Sequence, residues 1–472
     1  MKKMLSVCMV SAGVFMALLL TASAELYRRA PDVMPGTLPE MRTPEYWIAR
    51  MAKPDEVILT PAAIQRMNET YVKFIGGPDP FKDVPKERAP NLSYWWPGHV
   101  TVQPNLAVMS SKAVADTVRS WVNAEIAFMR SKPFGNVLAV EYSPRALDGF
   151  EREMALDTVR DDLKPRPGIA VRYTRLRNVP SFFPEQQGIT ENGKTRWDQW
   201  NVAILKIAKP VTVFYPSRSG EHLFVLCEEG FGWVRAEDIA FGSGQAVRGF
   251  VKSPDFAVCT GDRVQFYSDE SCTVSSGWFG MGDCLPLAEK SNPRLVKIPV
   301  RKANGAFVAE TAWLAKNAEA HVGWLPYTRR NIVLTAFNLL DNSYDWSGAF
   351  FGRQHETTYR DIFSVFGFRL PWHGGLFTFY GKNTEVMKPG IGAENQYKMI
   401  LTHEPFLTVQ SCGGHAQLLL GDLGGMPIVF DQHGYGYKDE KGNELEVRRC
   451  CIGDVRTPSY FLTRNVTFLE LK

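Results

Sequence analysis

The chain has 472 residues, 45% of them hydrophobic and 22% charged, with a formal net charge of +4. That composition describes a folded protein and excludes a disordered or wholly membrane-embedded one. The length calls for about two to four domains, and the small charge without a basic run argues against nucleic acid as a partner.

Residues 1–24 read as a cleavable secretory signal. Lys2 and Lys3 precede an apolar run from Met4 to Leu20, and Ala22-Ser23-Ala24 supplies the small residues of a cleavage site. The mature chain is therefore expected outside the cytoplasm, periplasmic or otherwise exported, with no stable membrane span after cleavage. Of the eight cysteines, Cys8 lies in the apolar run, leaving Cys227, Cys259, Cys272, Cys284, Cys412, Cys450 and Cys451. An odd number cannot all pair internally. Cys259, Cys272 and Cys284 are close enough in sequence for one disulfide, and the absence of CxxC or metal-finger spacing argues against a zinc site.

Four regions follow. Residues 25–165 mix Pro-rich connectors with helices. "LTPAAIQRMNETYVKF" has Thr60 as N-cap, Pro61 in the first turn, and Ile64, Met67 and Tyr71 on one face. "SSKAVADTVRSWVNAEIAFM" places Val114, Val118, Trp121, Val122 and Ile126 at helical spacing. The stretch 161–168 reads as a linker. Residues 166–247 and 248–330 are two cycles of short strands and Gly-containing turns, which suggest two copies of one small β-barrel. Residues 331–472 begin helical and end in long strands, an α+β order.

Three pieces of the last region can carry chemistry. In "RQHETTYRDIFSVFGFRL", residues 353–370, Tyr359, Ile362, Phe363 and Phe366 mark a buried helix. Thr358 and Asp361 resemble its capping box, Gly367 its terminator, and His355 lies just ahead of its N-terminus. In "PFLTVQSCGGHAQLLLGD" and "MPIVFDQHGYGY", a hairpin turning between Leu423 and Gly424 would set His415 opposite Gln432. A one-residue slip would bring in Asp431 or His433. A histidine oriented by a neighbouring polar group is the base-plus-orienter half of a cysteine peptidase triad.

Taken in order, these segments resemble the multidomain NlpC-type cell-wall cysteine peptidases, which cut between γ-D-glutamate and the diamino acid of murein peptides. "GIAVRYTRLRNVPSFF", "FGWVRAEDIA", "VCTGDRVQFYSD" and "GMGDCLPL" look like the two SH3-like domains of that family. "SYDWSGAF", "FGFRLP", "PFLTV", "GGHAQLLLGD" and "FDQHGYG" follow the order of landmarks in its peptidase domain. The resemblance implies an α+β multidomain fold: an N-terminal helical region, two SH3-like β-barrels and a C-terminal papain-like domain. The implied partner is a murein peptide or another cell-wall component, with no cofactor and no metal.

The resemblance departs at the chemistry. Where the family carries Asp-Cys-Ser before the helix, this chain has Gln354-His355-Glu356, so His355 stands where the nucleophile would be. His415 and Gln432 match the base and its orienter. Tyr344, Trp346, Gln354, Glu356, Trp372 and Tyr435 are candidates to line the cleft. Cys412, three residues before His415, lacks a helix N-terminus to stabilise a thiolate. A His355–His415–His433 metal site is conceivable, but nothing in the spacing fixes its geometry. The implied function is a murein-peptide-recognising protein with an impaired peptidase centre; the alternative is an active hydrolase with a displaced nucleophile.

Overall fold

The structure, a computed structural model, describes residues 30–75, 104–135, 140–181, 198–348, 350–372, 374–380, 385–412, 414–434, 437–438, 442–457 and 460–472. Residues 1–24, expected to be a signal sequence, and His373 and Tyr435 lie outside these residues. No helix among the described residues is long and apolar enough to cross a membrane.

Among the described residues four α-helices come first: α1 (Pro44–Ile48), α2 (Pro61–Ile75), α3 (Ser111–Arg130) and α4 (Pro144–Glu153). Their starts follow the capping chemistry in the sequence. Ala63 N donates to Thr60 Oγ1 ahead of α2, and Ala113 N to Ser110 Oγ ahead of α3. The described parts of region 25–165 do not share one core. Trp47 of α1 and Ile64 and Tyr71 of α2 pack into the C-terminal core. Val114, Val118 and Val122 of α3 instead cover Phe224 and Trp233 of the first sheet.

That first sheet contains β1 (Arg166–Ala170), β2 (Thr174–Arg177), β3 (Asn201–Leu205), β4 (Pro210–Pro216), β5 (His222–Cys227), β6 (Gly230–Arg235) and β7 (Ile239–Phe241), in the order β3-β2-β6-β5-β4-β1-β7. The expected linker at 161–168 is thus shorter than the sequence suggested, because β1 already begins at Arg166 and pairs with β4. Helix α5 (Gly244–Val251) leads to the second sheet, with β8 (Phe256–Cys259), β9 (Arg263–Tyr267), β10 (Ser275–Gly280), β11 (Cys284–Glu289), β12 (Asn292–Arg301), β13 (Phe307–Leu314) and β14 (Ala320–Val322). Its order is β10-β9-β13-β12-β11-β8-β14. Counted from its own first strand, this is the order of the first sheet. The two cycles in the sequence are therefore two sheets of identical topology.

Helices α6 (Arg329–Phe337), α7 (His355–Ser364) and α8 (Ala393–Ile400) accompany the remaining strands: β15 (Val386–Met387), β16 (Thr408–Cys412), β17 (His415–Leu423), β18 (Met426–His433), β19 (Tyr437–Lys438), β20 (Glu444–Leu445), β21 (Arg449–Asp454) and β22 (Val466–Glu470). The third sheet runs β15-β22-β16-β17-β18-β21, all pairings antiparallel. Tyr359, Ile362 and Phe363 of α7 pack with Ala416, Leu418, Phe430 and Cys450 of this sheet. Tyr359 Oη donates to the Phe430 carbonyl at 2.8 Å. All seven described cysteines are free thiols, so the possible disulfide among Cys259, Cys272 and Cys284 is not formed.

Helix α7 starts earlier than its apolar pattern suggested. Gln354 is the N-cap and closes a capping box with Thr357, whose hydroxyl accepts from Gln354 N at 3.0 Å. His355 is thus the first helical residue. The expected Thr358–Asp361 box is absent because both side chains are otherwise engaged. Thr358 Oγ1 donates to the Gln354 carbonyl, and Asp361 turns to the other sheets. Gly367, at φ +94°, ends the segment as expected.

The polar face of α7 is buried against both seven-stranded sheets. Asp361 accepts from Lys206 Nζ at 2.6 Å and from Arg353 Nε at 2.7 Å. Arg353 continues to Asp262, and Lys206 lies 3.5 Å from Asp283. The preceding residue, Arg360, pairs with Glu229 at 2.8 Å. Burial opposes ionisation of Asp361, but Lys206 and Arg353 overcome it and hold the carboxyl below its ordinary range.

Asp361→Ala is expected to destabilise the protein by about 3–5 kcal/mol, because it strands two buried cations. A carboxyl held below its unfolded value stabilises the fold above that unfolded value and loses the contribution as pH falls through the folded one. Denaturant melts should therefore show the gap between variant and wild type at pH 7 shrinking below about pH 4.

Candidate active site

The site lies where the N-terminus of α7 meets the interior strands β16, β17 and β18 of the third sheet. Gly424 and Gly425 adopt φ of +60° and +85°, the left-handed pair that a two-residue hairpin requires. They join Leu423 to Met426, and a bulge between Leu419 and Gly421 then shifts the register so that Gln417 faces Asp431. His415, Gln417, Asp431 and His433 consequently share one face of the hairpin.

This corrects the expected orienter. His415 Nε2 lies 2.9 Å from Asp431 Oδ1 and 3.1 Å from Oδ2. Gln432 belongs to the other face, where its Oε1 accepts from Cys450 Sγ and its Nε2 donates to the Asn342 carbonyl at 3.4 Å. The sequence reading placed the turn early and had no means of seeing the bulge, which together decide which residue faces His415. Asp431 is itself held: Gln417 Nε2 donates to its Oδ2 at 3.1 Å, and Gln410 Nε2 donates to Gln417 Oε1 at 3.0 Å.

His355 meets this cluster from the helix. Its ring centroid is 4.5 Å from that of His415, and Tyr344 stacks beside it at 5.8 Å. The His433 ring stands perpendicular to His415 at 5.5 Å. His355 Nε2 is 3.2 Å from Glu356 Oε2, and His355 is half-buried whereas Glu356 is buried.

Burial governs the protonation of every member. It pushes His415 down to about 3, helped by the Arg464 charge, and it pushes His433 down to about 3 against the pull of Asp431. His355 falls well below its ordinary value through burial and the neighbouring His415. Burial lifts Asp431 to about 7 and Glu356 to about 8. At neutral pH the cluster therefore presents three uncharged imidazoles and a protonated Glu356. With Nε2 engaged by Asp431, His415 keeps Nδ1 without a hydrogen-bond partner, as a base must.

A nucleophile beside that base is another matter. Cys412 is the residue paired with His415 across β16 and β17, but it is buried among Met387, Val466 and Phe468, and burial pushes its thiol up to about 12. Cys450 and Cys451 are fully buried, and burial raises their thiols too.

The expected cleft-lining residues divide. Tyr344 and Glu356 flank His355. Gln354 is committed to the helix cap. Trp346 opens a short 3-10 turn, Trp346–Gly348, that packs toward β3. Trp372 lies on the opposite, charged side of α7, its ring 5.3 Å from the Arg360 guanidinium carbon and within a crevice shared with Lys206, Arg353 and Asp361. Gln417 is the residue that sequence reasoning missed; Asp431 and His433 entered it only as the outcome of a one-residue slip. On β17 the signal was alternation, since His415 and Gln417 flank Ala416 in an otherwise apolar run, whereas on β18 the polar run Asp431-Gln432-His433 did not say which residue shares that face.

No protein-family profile and no curated protein matches the chain. Solved structures do. An NlpC/P60 endopeptidase from Photobacterium damselae subsp. piscicida aligns over 90% of this chain and 96% of its own, with a TM-score of 0.67 at 16% identity. An NlpC/P60 family protein from Bacillus cereus ATCC 10987 aligns over 58% of this chain and 83% of its own, with a TM-score of 0.38 at 16% identity. The first alignment spans nearly the whole molecule, so the chain has an NlpC/P60 endopeptidase-like fold.

Glu356→Gln should stabilise the protein increasingly from about pH 5 to pH 8. In wild type the carboxyl titrates near 4.3 when unfolded and at about 8 when folded. Across that window folding must hold the proton on, which costs up to about 1.4 kcal/mol per pH unit. Thermal melts of both proteins at a series of pH values check this; parallel curves would contradict the assignment.

Proposed function

We propose that the protein is an exported, cell-wall-recognising member of the NlpC-type peptidases whose peptidase centre lacks its nucleophile. One observation carries the reading: at the first turn of α7, opposite the His415–Asp431 pair, the chain offers the imidazole of His355 and not a thiol. Loss of a triad nucleophile costs on the order of a millionfold in kcat. A neutral imidazole is a poor substitute against a peptide, whose amine is a poor leaving group. What remains is recognition: Tyr344, His355 and a protonated Glu356 offer stacking and hydrogen bonds to the amides and carboxylates of a murein peptide.

The identical strand order of the two seven-stranded sheets supports reading residues 166–247 and 248–330 as two SH3-like domains preceding a papain-like domain at 331–472. The Lys2–Ala24 pattern supports export to the periplasm or beyond.

A displaced nucleophile is the second reading, favoured by the pairing of Cys412 with His415. Its buried, high-pKa thiol speaks against it.

Incubation of the mature protein with L-Ala-γ-D-Glu-diaminopimelate, followed by chromatography, separates the two. The proposal expects peptide binding by calorimetry, no cleavage by wild type or Cys412→Ala, and detectable cleavage by His355→Cys that a further His415→Ala change abolishes. Wild-type cleavage lost in Cys412→Ala would establish the displaced nucleophile. Neither cleavage nor binding would overturn both readings.

A further inference from the structure

We propose that His415, Asp431 and His433 form a binding site for one divalent transition-metal ion of the zinc class. One ligand atom from each side chain lies within 4.8 Å of the other two, and all three residues are buried. Neither ring nitrogen of His433 has a hydrogen-bond partner, and Nδ1 of His415 has none, although these residues are only 1% and 2% exposed. Buried polar atoms are almost always satisfied, so an orphaned imidazole in a polar cluster marks a place for a missing partner. A metal ion is such a partner for His433, and it would take the place of the proton now shared between His415 Nε2 and Asp431.

The donor set selects the ion. Two neutral imidazoles and one carboxylate suit zinc and its first-row neighbours, not calcium or magnesium, which prefer oxygen throughout. Bonds of about 2.0–2.1 Å in a tetrahedral site put ligand atoms roughly 3.3 Å apart. His415 Nε2 and Asp431 Oδ1, at 2.9 Å, are already close to this, so closure requires the His433 ring to swing inward. The supporting shell is present as well: Gln417 fixes the second carboxylate oxygen at 3.1 Å, as outer groups do at metal sites.

The sequence reading anticipated no metal because spacing alone could not place His433 beside His415; the hairpin register does. The inference goes beyond the recognition function proposed above and is read by metal content, so either can fail while the other stands.

The test uses tag-free mature protein stripped with a chelator and titrated with Co2+, then Zn2+. The visible bands of bound Co2+ should saturate at one equivalent and be displaced by Zn2+, with a rise in Tm that grows with metal concentration. His433→Gln and Asp431→Asn should each weaken binding by about a hundredfold or more, and Gln417→Met by about 10–100-fold. His321→Gln, a change at a histidine on β14 outside the cluster, should leave it intact. If His433→Gln fails to fold, Gln417→Met decides. Absence of saturable Co2+ absorption in folded wild type, or undiminished binding in the folded cluster variants, would overturn the site.

Discussion

Asp361 is a carboxylate removed from water and held between two cations that come from different parts of the fold, Lys206 on the first sheet side and Arg353 just ahead of its own helix. Taking such charges out of water is costly, and only tight, multiply bonded geometry repays it. That geometry exists only when the first sheet, the second sheet (through Asp262 and Asp283) and α7 are assembled together. The network is therefore less a source of stability than a condition on arrangement. It fixes the rotation of α7 about its axis, and the apolar face of Tyr359, Ile362 and Phe363 against the third sheet then fixes its depth.

The rotation of α7 decides what its first residue can do. Held from behind by Asp361 and Arg360 and from the front by its aromatic face, the helix carries its N-terminus to the end of the β17–β18 hairpin. Its first side chain meets His415 there, and in this chain that side chain is His355. The surroundings retain the features of an acid–base centre: an imidazole oriented by a buried carboxylate, with a second imidazole alongside. Burial keeps the imidazoles uncharged, so the site is suited to hydrogen bonding and to lone-pair donation.

The architecture was largely legible in the sequence because it rests on local signals. Thr60 announces its helix through a hydroxyl cap, and the two runs of short strands emerged as two sheets of one topology. His355 and His415 were legible as a facing pair because each sits at the end of an element with a clear pattern. The third member was not. Gln432 and Asp431 are adjacent, and choosing between them required the turn at Gly424-Gly425 and the bulge near Gly421, a shift of one residue that exchanges the faces of a strand. The start of α7 was misplaced for a related reason. Asp361 has the chemistry of a helix cap, but distant cations claim it, and cross-domain pairing leaves no local trace. The division of the N-terminal helices between two cores is equally non-local.

The central claim is that this centre has an oriented base and no working thiol. Intact-mass analysis after incubation with a γ-D-glutamyl chloromethyl ketone, an electrophile directed to the cleft, tests it most directly. The account predicts an unmodified mass for the wild type under conditions that fully label His355→Cys at the new thiol. A stoichiometric adduct on wild-type Cys412 would contradict it and restore a cysteine nucleophile to the site.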